Sequence, residues 1–300
     1  MLEAEREGVS MLKDQFNIVI VQPPGFIASA GFDDVAKLLK CSFESLGYHA
    51  DITLNAFARR YINIVLGYYM LNDLNALRGI RWIPYQLEPL KVHEDTVTPS
   101  CLIVLAQASK VWDYDAENIA YLQSRGIMSA CHVPIGYHPL MQTIVPAKSP
   151  DIDVLHYGVI PERRAEVFRS MWERFKLDGG RQNLNAIVNI FGAERDKLIS
   201  RSRIVLNIHQ FDDAPLEQVR LSHLLNNGVC VVSEDARPGP YADILPTVPY
   251  EGLADRCYEL LADESARRQL AADTAGKFSQ MPMTEILSGA LDQGFLSPTG

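Results

Sequence analysis

The chain has 300 residues, 47% hydrophobic and 22% charged, with a formal net charge of -9 at pH 7. That length suits two α/β domains of ordinary size with one cleft, and the apolar content fills real cores and leaves no long disordered block. The acid excess argues against a nucleic-acid surface, which draws on surplus Lys and Arg, although one diphosphate needs only a few local cations. Cys41, Cys101, Cys131, Cys230 and Cys257 are scattered and form no C-x-x-C pair, so reduced thiols in a cytoplasmic protein are expected, with neither a disulfide framework nor a zinc site. The start, MLEAEREGVSMLKD, reads as a charged lead-in without a signal-peptide pattern, and no apolar run is long enough for a transmembrane segment.

Taken in chain order, apolar runs alternate with helix-length stretches. Strands are expected at 17–22, 50–54, 62–66, 81–86, 110–112 and around 129–133, with helices at 32–46, near 70–78, near 97–108 and at 115–125. The strand runs lack polar alternation, which indicates strands covered on both faces, hence a parallel sheet in a first Rossmann-like domain over 1–139. Residues 134–152 hold four prolines and no helical period, so a linker is set at 140–152. A second set follows, with strands at 153–158, 185–191, 204–208, 229–233 and 247–250 and helices at 161–176, 193–201, 216–226, 252–262, 264–278 and 284–294. It makes a second Rossmann-like domain over 153–283, with 284–300 a terminal helix that can return to the first. The fold class is α/β: two Rossmann-like domains whose parallel sheets face a cleft.

The residues that carry chemistry gather at strand ends. In RIVLNIHQFDDAPLEQVRLSHLLNNGVCVVSE (203–234) a buried strand runs into a polar loop at His209. A helix then carries Glu217, Arg220 and His223, and a turn at Gly228 leads to a strand ending in Ser233 and Glu234. Ligands of parallel sheets lie beyond the carboxyl ends of the strands, where these residues fall. Glu217 and Arg220 share a helical face that His223 extends, so they converge on a ligand's hydroxyls or form a structural ion pair. His209 can donate to a phosphate or tether its loop, and Ser233 and Glu234 can take a diol or cap the next loop. Upstream, DVLHYGVIPERRAEVF puts Gly158 at a strand end and Arg163 and Arg164 in a first helical turn. Cations there oppose the helix dipole, which makes sense beside an anion; the plain alternative is pairing with Glu162 or Glu166. The helix of FGAERDKLIS reads as a surface helix with charges that suit its dipole.

In the first half, QPPGF follows the first strand, and Gly25 permits close backbone approach. This is not G-x-G-x-x-G, so no dinucleotide cofactor is suggested. Tyr85-Gln86-Leu87-Glu88 ends one strand and Trp112-Asp113-Tyr114-Asp115 the next, with Asn118 a turn on. Asp113-Tyr114-Asp115 and Asp151-Ile152-Asp153 both spell D-x-D, a spacing that short acidic pairs reach by chance, and no metal is expected.

Asn207, His209, Glu217, Arg220, Gly228, Val231, Val232, Ser233 and Glu234 together resemble the donor-sugar half of glycosyltransferases of the GT-B type, which have two Rossmann-like domains. The segments around Glu88, Asp113 with Asn118, and Pro134-Ile135-Gly136-Tyr137 are similar, in the same order, to segments of uncharacterised relatives of that group. One position departs: retaining members commonly place a glutamate five residues before the glycine, and here that residue is His223. The resemblance implies metal-independent transfer of a sugar from a nucleotide-diphosphate sugar to an acceptor hydroxyl, with no cofactor beyond the donor substrate. It implies donor binding by Gly158, Arg163, Arg164, His209, Glu217, Arg220, Ser233 and Glu234, with Phe191 and Gly192 near the base or ribose. Pro24, Gly25 and Tyr137 would lie on the acceptor side, Glu88 or Asp113 would be the acceptor base, and His209 is a further catalytic candidate. The implied partners are the nucleotide-sugar donor and a glycan, lipid, protein or small-molecule acceptor, with no nucleic acid. A silent nucleotide-sugar binding protein, or an epimerase or hydrolase on the same scaffold, are the rivals.

Overall fold

The computed structural model describes residues 14–91, 98–177, 179, 182–212 and 214–292. The expected amino-terminal lead-in, the first residue of the helix near 97–108, Asp213 and the end of the last helix lie outside these residues. A first sheet comprises Gln15–Ile20 (β1), His49–Leu54 (β2), Ile62–Leu66 (β3), Arg81–Gln86 (β4), Val111–Asp113 (β5) and Ala130–His132 (β6), in the order β2-β1-β3-β4-β5-β6. A second comprises Ile152–Tyr157 (β7), Leu184–Ile187 (β8), Ser202–Asn207 (β9), Val231–Glu234 (β10) and Thr247–Val248 (β11), in the order β11-β10-β9-β7-β8. All pairings are parallel. Parallel pairing requires a crossover after each strand, and the crossing helices bury both faces. That is why β3 is apolar and buried along most of its length, with Asn63 its one polar member.

The crossing helices of the first lobe are Asp33–Ser45 (α1), Thr98–Leu105 (α2) and Ala116–Ser124 (α3). Those of the second are Glu162–Lys176 (α4), Gly192–Ser200 (α5) and Gln218–Asn226 (α6), and Leu253–Ala262 (α7) and Glu264–Phe278 (α8) follow the last strand. Met283–Asp292 (α9) returns to the first lobe, where Met283, Leu287, Ala290 and Leu291 join the core of Phe16, Phe43 and Trp112. Each fully buried side chain of this kind contributes about 1.5–3 kcal/mol. The return is fastened where Tyr137 N–H donates to Met281 O and Met283 N–H to Tyr137 O, both at 2.8 Å.

Two expected elements differ. Residues 70–78 form no α-helix: short 3-10 turns at Tyr68–Met70 and Leu74–Leu77 are separated by extended Leu71 and Asp73. Asp73 Oδ1 accepts Asn75 N–H at 2.9 Å, a local bond that competes with helix formation. The strand expected at 185–191 stops at Ile187, and Asn189 turns the chain with φ of 54°. No helix among the described residues is long and apolar enough to cross a membrane, and all five cysteines are free.

Each sheet has one point where strand order reverses, between β1 and β3 and between β7 and β9. Open α/β sheets form their ligand crevices at such points, beyond the strand ends.

Candidate active site

A cleft with a cavity volume of about 350 Å³ opens at these strand ends, with walls from both lobes. The second lobe contributes Tyr157 at the end of β7 with Gly158 and Val159 after it, Asn189 to Phe191 before α5, and Glu217, Gln218 and Arg220 at the start of α6. Glu217 is the residue before α6 rather than part of its first turn, and neither it nor Pro161, before α4, caps its helix with a side-chain hydrogen bond. The first N–H groups of both helices therefore keep donor capacity beside the cleft.

Arg164 lines the cleft at 3% exposure. Its Nε donates to Ile208 O at 2.8 Å, Nη1 to Val159 O at 2.9 Å and Nη2 to Glu217 Oε1 at 3.2 Å. Burial, then the charge of Arg220, lowers its pKa to about 10, so it remains a cation at neutral pH. Arg220 donates Nη1 to Asn207 Oδ1 at 2.9 Å and stacks 5.3 Å from the Tyr157 ring centroid. Burial alone would raise the Glu217 carboxyl, but the imidazole of His209, 3.4 Å away, and the charge of Arg220 outweigh it and hold it at about 2. Two cations and one fixed carboxylate thus meet beside Gly158, where φ is +121° and a Cβ would lie 2.9 Å from Arg220 Nη2.

Arg163, Ser233, Glu234 and His209 do not line the cavity. Arg163 lies over the Tyr250 ring, bonds Asp212 at 2.7 Å and grips Glu234 with both terminal nitrogens. Successive residues of a helix project about 100° apart, so when Arg164 faces the cleft Arg163 cannot. Ser233 Oγ accepts from Asn207 Nδ2 at 3.0 Å, and Glu234 also takes His209 N–H at 3.0 Å. His209, 1% exposed, sits behind Glu217 with Nδ1 3.4 Å from Oε2 and Nε2 3.1 Å from Asp235 O. Burial lowers the imidazole pKa, but the adjacent Glu217 carboxylate prevails and raises it.

On the first lobe the wall comprises Ala28, Gly31, Phe32 and Asp34 with Leu87, Glu88, Pro89 and Tyr114. Of the two acceptor-base candidates only Glu88 reaches it. Asp113 is 0% exposed, accepts from Asp115 N–H at 2.9 Å and Asn118 Nδ2 at 3.1 Å, and is pushed up by burial. Pro24 and Gly25 are also absent from the cavity wall: Phe26 N–H donates to Pro23 O at 3.0 Å, closing an exposed turn with Gly25 at φ of 77°. Tyr137 is absent because its backbone is tied to the strand-like bridge with Met281 to Met283.

Sequence reasoning missed the groups that join the lobes. Arg195, expected on a surface helix, is 5% exposed and lines the cleft. Its Nη1 donates to Asp34 of the first lobe, its Nη2 to Asp196 at 2.7 Å, and the same nitrogen lies 3.0 Å from His223 Nε2. His223 Nε2 is also 2.9 Å from Asp196 Oδ1, so it accepts from Arg195 or donates to Asp196 according to tautomer. Asp34 in a first helical turn and Arg195 among opposite charges each had a local explanation, which hid the pairing. Gln218 adds a second link, donating to Tyr114 O at 2.9 Å and accepting Ile135 N–H at 3.0 Å. Among the described residues no three His, Cys, Asp or Glu side chains gather as a metal would need.

Two parallel sheets with their strand ends turned to a shared cleft, and a final helix crossing back, match solved structures across nearly the whole chain. An α-glucosyltransferase bound to UDP and a mismatch-containing DNA aligns with a TM-score of 0.62, at 9% identity over 93% of this chain and 98% of that one. The fold is GT-B. TarM of S. aureus aligns with a TM-score of 0.54, at 11% identity over 89% of this chain and 57% of that one. No family model matches the sequence. An uncharacterized protein of Acanthamoeba polyphaga mimivirus is 27% identical over 169 residues, 53% of this chain and 55% of that protein. The chain thus spans about half the length of the curated relative it matches. Buried Arg164 and half-buried Arg220 line the second-lobe wall of the cleft, and the carboxylates Asp34 and Glu88 line the first-lobe wall.

Proposed function

We propose that the protein transfers a sugar from a nucleoside-diphosphate sugar to an acceptor hydroxyl. UDP is the nucleotide held by the α-glucosyltransferase and by TarM, and it is the first to test here. The observation that carries this reading is the convergence of Arg164 and Arg220 beside Gly158 on the cleft wall, next to the open starts of α4 and α6. Cations and N–H groups already in place stabilise the charge that grows on a departing diphosphate without reorganising at the moment of reaction.

In the transfer step the acceptor oxygen bonds the anomeric carbon while the carbon–oxygen bond to the diphosphate breaks, its electron pair leaving with the diphosphate. The hydroxyl proton passes to Glu88. Of the carboxylates on the cleft wall, Asp34 is paired with Arg195 and Glu217 with Arg164, whereas Glu88 has no ion pair among the described residues. Burial pushes the Glu88 carboxyl up, against a smaller lowering by the Tyr69 hydroxyl, which makes it a better proton acceptor than an ion-paired carboxylate. A base on the wall opposite the diphosphate places the acceptor on the far face of the anomeric carbon, so the product is inverted.

Calorimetric titration with UDP and UMP tests the diphosphate site: UDP binds more tightly in the natural chain, and Arg220→Ala removes that difference. Equal binding of the two nucleotides would overturn the site. Proton NMR of the product tests the base, since retained configuration would remove Glu88 from that role.

A further inference from the structure

The transfer chemistry leaves unused a buried polar frame behind Glu88. Gln86 Nε2 and Asn118 Nδ2 both donate to the Glu88 carbonyl, at 2.6 and 2.8 Å. Asn118 Oδ1 accepts Leu90 N–H at 2.9 Å, so one amide holds the loop on both sides of Pro89. The same Nδ2 reaches Asp113 Oδ1 at 3.1 Å, and the Tyr68 hydroxyl donates to Gln86 Oε1. On the carboxylate itself, the Tyr69 hydroxyl donates to Oε1 at 2.8 Å. Tyr68, Gln86 and Asp113 are 0% exposed and Asn118 3%.

Burying so many polar groups carries a desolvation cost, which the bonds among Tyr68, Tyr69, Gln86, Glu88 and Asn118 offset, whereas Asp113 Oδ2 has no hydrogen-bond partner among the described residues. Here the partners converge on a single loop residue, whose carboxylate lines the cleft and has no ion pair among the described residues. Gly67 supplies the turn that presents both tyrosines: its φ is +69°, and a Cβ would lie 2.5 Å from Met70 Cε and 3.0 Å from the Phe32 ring.

We propose that Tyr69, Gln86 and Asn118 are positioning residues that fix the Glu88 carboxylate toward the cleft, with the Tyr69 hydroxyl setting how readily it takes a proton. The proposal rests on the reading of Glu88 as the acceptor base. The titratable groups facing Glu88 are Tyr69, Cys101 of α2 and Tyr114. Burial raises all three and is the larger effect on Glu88 as well, and the hydroxyl of Tyr69 bonded to the carboxylate acts against it. A bond donated to the ionised form favours that form, so removing it moves the titration of Glu88 upward.

The test uses the full chain labelled with carboxyl-13C glutamate, the Glu88 resonance being the one lost in Glu88→Gln. In Tyr69→Phe, which deletes one oxygen and keeps the ring, the Glu88 titration moves to higher pH. The acid limb of kcat for hydrolysis of a nucleoside-diphosphate sugar moves with it. Asn118→Ala and Gln86→Ala lower kcat by about 10-fold or more at unchanged donor KM, because the carboxylate loses its aim. Full turnover in Glu88→Gln overturns the base reading. Loss of turnover in Glu88→Gln with an unmoved Glu88 titration in Tyr69→Phe overturns the frame alone.

Discussion

A side chain at position 158 would begin 2.9 Å from Arg220 Nη2 and 3.9 Å from Arg164 Nη1, on a backbone at φ of +121°. Gly158→Ala therefore displaces the two cations offered to the diphosphate, and UDP affinity measured by calorimetry falls by roughly tenfold, about 1.4 kcal/mol. His156, two residues earlier, gives a pH signature. Burial, then the charge of Arg220, lowers its imidazole from 6.5 to about 3, while Nδ1 bonds Leu206 O at 3.0 Å. Between those values the unfolded chain binds a proton that the native state refuses, so this contribution is intact above pH 6.5 and lost as pH falls through the window. Each pH unit in the window costs about 1 kcal/mol, and urea midpoints decline on acidification less steeply in His156→Gln than in the natural chain. At this scale the sequence pointed to Arg164, Glu217 and Arg220 through strand-end position and helical spacing. It did not separate Arg164 from Arg163, because both sit in one first turn and only packing of α4 decides which faces the cleft.

At the scale of elements, the closest backbone approach binds α9 to the first lobe. A Cβ on Gly136 would lie 2.5 Å from Met281 O, 2.9 Å from Met283 N and 2.8 Å from Ile286 Cδ1. Two of those atoms are backbone, so Gly136→Ala must push out the segment that carries Met283 and Leu287 into the core. The expected cost is about 1–3 kcal/mol, read as a lower urea midpoint with the shape of the transition retained. Most of the strand and helix order was legible, because runs such as Ile62–Leu66, apolar but for Asn63, lack the polar alternation of a strand with one face in water. The stretch at 70–78 was not legible: its apolar spacing fits a helix, while the Asp73 side chain closes a turn that periodicity does not register. Asn189 likewise ended β8 early through a left-handed backbone with no glycine to announce it.

For the molecule as a whole, two lobes follow from two sets of alternating elements, but what holds them together joins residues 161 apart in sequence, which no local pattern records. Arg195 is the centre of that join, 5% exposed between Asp34, 8% exposed on α1, and Asp196 beside His223. Removing the guanidinium leaves two half-buried or buried carboxylates facing each other, and breaking a buried pair from one side costs about 3–5 kcal/mol. Removing Asp34 along with the guanidinium is milder, since the carboxylate left behind, Asp196, keeps His223 as a partner at 2.9 Å. Arg195→Met should therefore lower the unfolding free energy sharply and enlarge the radius of gyration in small-angle scattering. Adding Asp34→Asn to Arg195→Met should recover part of both losses. A coupling between the two positions of about 0.5–3 kcal/mol is the expected result of the double-mutant cycle. UDP affinity should follow the scattering radius through the series, because Asp34 and Arg195 also form part of the cleft wall and a parted cleft cannot enclose the donor. Additive losses with an unchanged radius would mean that the lobes are held without this pair, by the α9 return and by the bonds of Gln218, Asn226 and Tyr241 to Tyr114, Ile135 and His138, which stay intact in every variant.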